Sequence, residues 1–402
     1  MFVSGILIVR NLPVSQYAYY TLATSAVGVA AALSDSGMAG AVFAQGGRVW
    51  QQRDRLGAVL SAGLAIRRKI TVRCALLLSP VLVWMLLRQG ASVLEALMLC
   101  AGSAPVFFAT SATALLEIPQ RLHQRLKFLQ LLQIGSGALR LACVALVALV
   151  LPVAWLVLLS SAIAPMLQNR KLRTGSTDIA DFDAAQDNEA SQKIRQQIVR
   201  SFPGALYYVF GGQLTILLIS LFGTTENVAQ VGALGRIAMI VMLLLAVFFL
   251  VACPRYARIP ETETRKLLRV YLLLLGAVGA ACAAGLLFTW AFPDVVLFVL
   301  GSKYSALTGE VVLAVAAGAL QVLASASSSM AAVRGTVVSP LLTIPPSIAA
   351  QALLIYLLPL DSVSSMFWLS IAFNGVQFIV SSAVFLRRLI RDARLPGLTA
   401  RS

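Results

Sequence analysis

Long apolar runs alternate along the chain with short clusters of basic residues. The clusters run from Arg48 to Arg73, Arg121 to Lys127, Arg170 to Arg200, Arg255 to Arg269, and Arg387 to Arg401, and Arg334 stands nearly alone between the last two. Each gap between clusters holds roughly 40–65 residues, and a helix needs about 20 to cross a bilayer, so each gap has room for two spans. Inside each gap lies a polar or turn-forming break: Arg88-Gln-Gly, Leu151-Pro152, Thr224 to Asn227, Gly301 to Tyr304, and Pro359 to Ser362. The pattern predicts eleven membrane helices, at about 17–43, 70–87, 93–116, 128–150, 152–168, 202–222, 232–252, 270–292, 309–331, 335–358 and 364–386. Met1 to Val9 is apolar but too short to cross a core of about 30 Å at about 1.5 Å per residue. This stub is expected to be the outer half of a twelfth span completed by residues upstream. No basic region precedes it, which argues against a signal peptide.

Two spans between successive clusters place every cluster on one side, and the positive-inside rule makes that side the cytoplasm. Of the 32 Lys and Arg, only Arg10, Arg88 and Lys303 fall outside, while Arg140 and Arg236 lie within apolar stretches. Composition agrees: 59% of residues are hydrophobic and 12% charged, against about 45–50% and 25% in a soluble domain. Too little charge remains to coat a soluble globule. The net charge of +16 is thereby a topology signal and does not call for nucleic acid.

Residues 169–200 form the longest polar segment, with Asp178, Asp181, Asp183, Asp187 and Glu189 between two basic ends. A solvated cytoplasmic linker is expected there; a docking site for a cytosolic partner is the sharper alternative. The segment separates an N-terminal lobe, 1–168, from a C-terminal lobe, 201–402, that ends in a short basic tail. Two lobes of equal size and the same orientation are the arrangement of a parallel repeat.

Several segments resemble a known family. Arg10-Asn-Leu-Pro-Val-Ser-Gln-Tyr17, Tyr20-Thr-Leu-Ala-Thr and Leu33-Ser-Asp-Ser-Gly37 are similar to the opening of Wzx-type polysaccharide flippases. In the second half Leu221 to Gly232, Pro254 with its Arg-rich loop, and Phe292 to Gly301 followed by Tyr304 resemble the family's turns. The family belongs to the multidrug/oligosaccharidyl-lipid/polysaccharide (MOP) superfamily. The resemblance implies an all-α polytopic membrane protein, with two six-helix lobes, the first helix truncated, around a central cavity. It implies transport of an undecaprenyl-diphosphate-linked oligosaccharide from the cytoplasmic to the periplasmic leaflet of a bacterial inner membrane. Glycan-assembly partners and a coupling ion fit that reading, as do membrane lipids. An O-antigen, lipopolysaccharide or exopolysaccharide precursor is the expected kind of substrate. A cation-coupled small-molecule exporter of the same superfamily is the alternative. A membrane polymerase or glycosyltransferase is a weaker one, because every outer turn is shorter than the loops such enzymes carry.

No cofactor is expected. His123 is the sole histidine, the five cysteines form no CxxC pair, and no phosphate-binding Gly-rich loop occurs. The candidate substrate-binding residues are Arg140, Arg236, Arg10 and Asp35, because charges within spans are costly and usually face a wet cavity. Arg140 lies near a midplane, suited to a diphosphate; an ion pair with Asp35 is the alternative. Asp35 is a counter-ion or proton site, an internal partner for a nearby Arg, or a cap beside Gly37. Arg236 also suits snorkelling to the outer interface. Pro80, Pro340, Pro345 and Pro346 mark possible bends, and the Ser325 to Ser329 run suits close packing or a cavity wall.

Overall fold

The structure, a computed structural model, describes residues 2–182, 184, 187–260, 263–334 and 339–394. Among them the fold is all-helical. In chain order the helices are α1 (Phe2–Asn11), α2 (Val14–Asp35), α3 (Met38–Arg48), α4 (Arg53–Arg88), α5 (Val93–Leu116), α6 (Ile118–Leu122), α7 (Leu126–Val150), α8 (Ala154–Thr174), α9 (Asn188–Phe222), α10 (Thr225–Ala257), α11 (Thr264–Ala291), α12 (Pro293–Phe298), α13 (Thr308–Val333), α14 (Pro340–Leu357) and α15 (Val363–Arg394). Among the described residues seven helices or joined helix pairs are long and apolar enough to cross a membrane, eight if the bent α9 is counted as one. The helices α8, α10 and α14 take the places of the remaining predicted spans. The stub predicted at 1–9 is the helix α1.

Helix ends follow local chemistry. Ser92-Val-Leu-Glu95 starts α5 with a capping box: the Ser92 hydroxyl accepts from Glu95 N–H, and Glu95 accepts from Ser92 N–H. Gln16 links three helix starts, donating to Glu95 at 3.1 Å and accepting from the Ala154 N–H that opens α8 at 3.0 Å. The span predicted at 17–43 is two helices, because Ser36 and Gly37 take left-handed φ of 35° and 79° and stop α2. Several helices outrun the apolar windows. α4 begins at Arg53, well before residue 70, because its first turns bury Leu56, Val59, Leu60 and Ile66 in a core shared with α3. Pro340 opens α14 at its first turn, where a missing N–H costs nothing, and does not bend it.

The chain forms two compact units that divide between Ala229 and Gln230. In the first, α5 packs between α4 and α8, α2 lies on α4, α5 and α9, and α7 packs on α8. Its outer surface is apolar: Leu76 and Leu77 on α4 are 68% and 73% exposed, Leu131 and Ile134 on α7 61% and 69%. Such a surface suits lipid and not water. In the second unit α13 packs on α15 and α11, and α14 on α15. The buried Ser327 joins these helices through hydroxyl bonds with Tyr271 at 2.9 Å and Ser382 at 3.0 Å. Of the two readings of the serine run, packing is what this residue does.

The division between the two units falls inside α10. The segment 169–200 is not a free linker. α8 continues to Thr174, and α9 already begins at Asn188. Between them Ile179 and Ala180 are buried, and Ala180, Ala190 and Ile194 join one apolar core with Met38, Val42, Leu56 and Leu60. Arg53 Nε donates to Thr177 O at 2.9 Å, and Ser61 Oγ to Ala184 O at 3.2 Å. Arg170, Lys171, Thr177 and Asp178 are exposed while Leu172, Ile179, Ala180, Ala190 and Ile194 are buried, so the described part of the segment packs on the basic end of the first unit.

Candidate functional site

Asp35 ends α2, where the helix dipole presents negative charge and a carboxylate is poorly placed. The buried Arg67, from α4, offsets both. Its Nη1 donates to Asp35 Oδ1 at 2.9 Å and to Ser34 O at 2.8 Å, and its Nε donates to Ser111 O of α5 at 3.1 Å. The Arg67 side chain is 6% exposed and that of Asp35 40%. This knot ties α2, α4 and α5 together. Asp35 therefore has the partner that the sequence allowed it, an arginine, but that arginine is Arg67 and not Arg140. Sequence reasoning counted Arg67 with the surface cluster. The missed signal is spacing: Gly63, Arg67 and Thr71 follow one another at four residues among small and apolar neighbours, one buried face of α4.

Arg140 sits halfway along α7. The exposed stripe of that helix is Leu131, Ile134, Ala138, Leu146 and Leu149. At about 100° per residue, Arg140 lies about 180° from Leu131 and Leu149, on the face that carries buried Leu129 and Val144. It does not face the apolar outer surface. Two turns earlier, on nearly the same face, Gln133 donates to Glu117 Oε1 at 3.0 Å. Glu117 is buried and also accepts from Arg121 at 2.5 Å and Gln168 at 3.4 Å. This second knot fixes the rotation of α7 and so the direction of Arg140. Arg140 Nε is buried without a hydrogen-bond partner, and no ion pair reaches the residue among those described. Leaving such a donor unmet costs about 1–3 kcal/mol, more for a charged group.

The other two candidates stand apart from this helix. Arg10 is exposed in the last turn of α1. Arg236 belongs to the second unit, half-buried on α10, with Nη1 3.8 Å from Met239 Sδ. Asp35 and Arg140 are not brought together by any hydrogen bond or ion pair among the described residues. A separate apolar pocket of about 230 Å³ opens between α2, α4 and α9, lined by Leu22, Val29, Leu82, Met85, Val209 and Gln213 among others, with no carboxylate. At the basic end, Asp178 is pinned to Arg125 at 2.6 Å, and this hydrogen bond holds its carboxyl below the usual carboxylate range.

No family model matches the chain, and no curated protein does. Solved structures do. A multidrug-resistance MATE family transporter of the MOP superfamily aligns over 99% of this chain and 95% of its own, with a TM-score of 0.74 and 16% identity. A eukaryotic MATE transporter aligns over 98% and 97%, with a TM-score of 0.66 and 14% identity. A MOP superfamily transporter from Pyrococcus furiosus, whose binding pocket has been described as reversed in polarity, aligns over 97% and 99%, with a TM-score of 0.59 and 14% identity. The chain is thus a polytopic, all-helical membrane protein with the fold of the MATE transporters.

Proposed function

We propose that this chain is a membrane transporter, not an enzyme, that moves an anionic lipid-linked substrate between leaflets. The substrate class is a polyprenyl-diphosphate-linked oligosaccharide, carried from the cytoplasmic to the periplasmic leaflet of a bacterial inner membrane. One observation carries the reading: Arg140, half-buried midway along α7 and on the side of that helix away from its exposed Leu131 and Leu149, has a buried Nε left unsatisfied. A diphosphate would satisfy it, since a guanidinium fork matches phosphate oxygens two at a time. Two carboxylates of the first unit, Asp35 and Glu117, are already engaged, Asp35 by Arg67 and Glu117 by three donors. That balance suits an anionic cargo better than a cationic one. Arg236 and Arg10 would be further contacts along the route. The fold supports transport, and the Pyrococcus furiosus neighbour supports a pocket whose polarity differs within the superfamily. No nucleotide motif is present, so an ion gradient or the substrate's own concentration would drive the step.

A small-molecule exporter is the second reading. The apolar pocket of about 230 Å³ and the multidrug-resistance neighbours favour it. The two readings part in one experiment. Cells lacking this chain would be scored for surface glycan, lipid-linked intermediate and cationic dye efflux. Lost glycan with accumulated intermediate supports the flippase; intact glycan with slowed efflux supports the exporter.

A further inference from the structure

At the basic end of the first unit, α4, α5 and α8 enclose a pocket of about 390 Å³, within the range of about 300–1,000 Å³ usual for ligand sites. Four arginines line it: Arg67 and Arg68 from α4, Arg170 and Arg173 from the last turns of α8. No Asp or Glu does. Arg67 is committed to Asp35 and two carbonyls, and Arg173 stacks on Phe182 with its guanidinium 5.6 Å from the ring centre. Arg68 and Arg170 have no carboxylate partner among the described residues, and both are exposed at the mouth. The pocket is therefore a concentrated positive field that the protein does not neutralise.

Its floor carries a second, independent sign. Thr71 and Ser111 are 2% and 3% exposed, line the pocket, and have hydroxyls without a hydrogen-bond partner. Most threonine hydroxyls in the helices of the first unit turn back onto their own helix, whereas Ser347 in α14 is left unpartnered like Thr71 and Ser111. Thr21, Thr24, Thr110 and Thr113, and Thr289 of the second unit, each donate to the carbonyl four residues earlier. Thr71 and Ser111 depart from that habit, and a buried unmet hydroxyl costs about 1–3 kcal/mol. Two idle donors beneath two unpaired arginines match the oxygens of a phosphate group.

We infer that this pocket is a phosphate-binding site, separate from Arg140, which takes either the headgroup of an anionic phospholipid or free phosphate. Basic pockets between spans at the cytoplasmic face are where lipid phosphates bind. Phe108, 39% exposed on the wall, and Leu64 offer apolar surface on which a lipid's first methylenes would lie. The inference does not depend on the transported substrate.

Purified protein in neutral detergent would be titrated with phosphatidylglycerol, uncharged diacylglycerol and inorganic phosphate, reading thermal unfolding and, by native mass spectrometry, retained lipid. Phosphatidylglycerol but not diacylglycerol should stabilise the protein and remain bound. If inorganic phosphate stabilises equally, the occupant is the free anion; if it does not, the occupant is the lipid. The Arg68→Gln/Arg170→Gln protein should lose about tenfold or more in affinity, whereas Lys171→Gln/Arg195→Gln, with the same charge removed outside the pocket, should not. Thr71→Val and Ser111→Ala should weaken binding without lowering the stability of the unliganded protein. Equal loss in pocket and control variants, or no phosphate-dependent stabilisation of the wild type, overturns the site.

Discussion

Two arginines, Arg67 and Arg140, have opposite fates, and the difference lies in what their neighbours offer. Arg67 meets a carboxylate, the Ser34 carbonyl at a helix C-terminus and the Ser111 carbonyl, so its charge is structural. Removing it strands Asp35 and two carbonyls. Arg67→Ala should therefore destabilise the first unit by about 3 kcal/mol, the low end for breaking a buried pair because Asp35 is partly exposed. Asp35→Asn keeps an acceptor facing Arg67 and should cost only about 1 kcal/mol. Thermal unfolding in detergent checks both, and an Asp35→Asn loss as large as that of Arg67→Ala would mean the charge itself is essential. From sequence, Asp35 and Arg140 were visible because each interrupts an apolar run. Arg67 was not, since its neighbours Arg68 and Lys69 made it look like one more solvated charge.

Helices were legible where an apolar window coincided with caps at both ends. The predicted 93–116 is the helix α5, bounded by the Ser92 capping box and by Glu117. They were misjudged where charged turns continue the helix, as in α4 and α9, since hydropathy marks the membrane and not the hydrogen-bond ladder. The packing of the segment 169–200 was hard to read for a related reason: Ile179, Ala180, Ala190 and Ile194 are few, yet all are buried. Its docking depends on a close approach. A Cβ at Gly57 would lie 1.8 Å from Asp181 O, inside the loop's backbone, whereas one at Gly28 would meet nothing within 4 Å. Gly57→Ala should thus lift the loop, lower thermal stability and speed proteolysis after residue 175. Gly28→Ala should be neutral or raise stability by up to about 1 kcal/mol through helix propensity. Equal behaviour of the two variants would contradict the docked loop.

The fold class, an all-helical membrane protein, was the most legible level, because it follows from long apolar runs repeated along the whole chain and not from any single residue. The sidedness remains a prediction with a direct check. Single cysteines at Thr177 and Asn188 should label from the cytoplasm, and at Ser302 and Asp361 from the periplasm; all four positions are at least partly exposed, whereas Ser176 is buried and unsuitable. Labelling of Thr177 and Ser302 from the same side would refute the span count between them. The identity of the cargo was least legible, since the fold alone does not fix it and the charge that would is one guanidinium.

That guanidinium is where the proposal is most exposed to test. In a strain deleted for this chain, glycan export would be measured with Arg140→Ala and Arg140→Lys at matched levels of folded protein. Losing a charge-assisted phosphate contact of about 1.5–3 kcal/mol should reduce export about tenfold or more in Arg140→Ala. Arg140→Lys, which keeps the charge but not the fork, should retain part of it. Export by Arg140→Ala equal to the wild type, with protein level unchanged, would contradict the central claim that Arg140 holds the anionic group of the transported lipid.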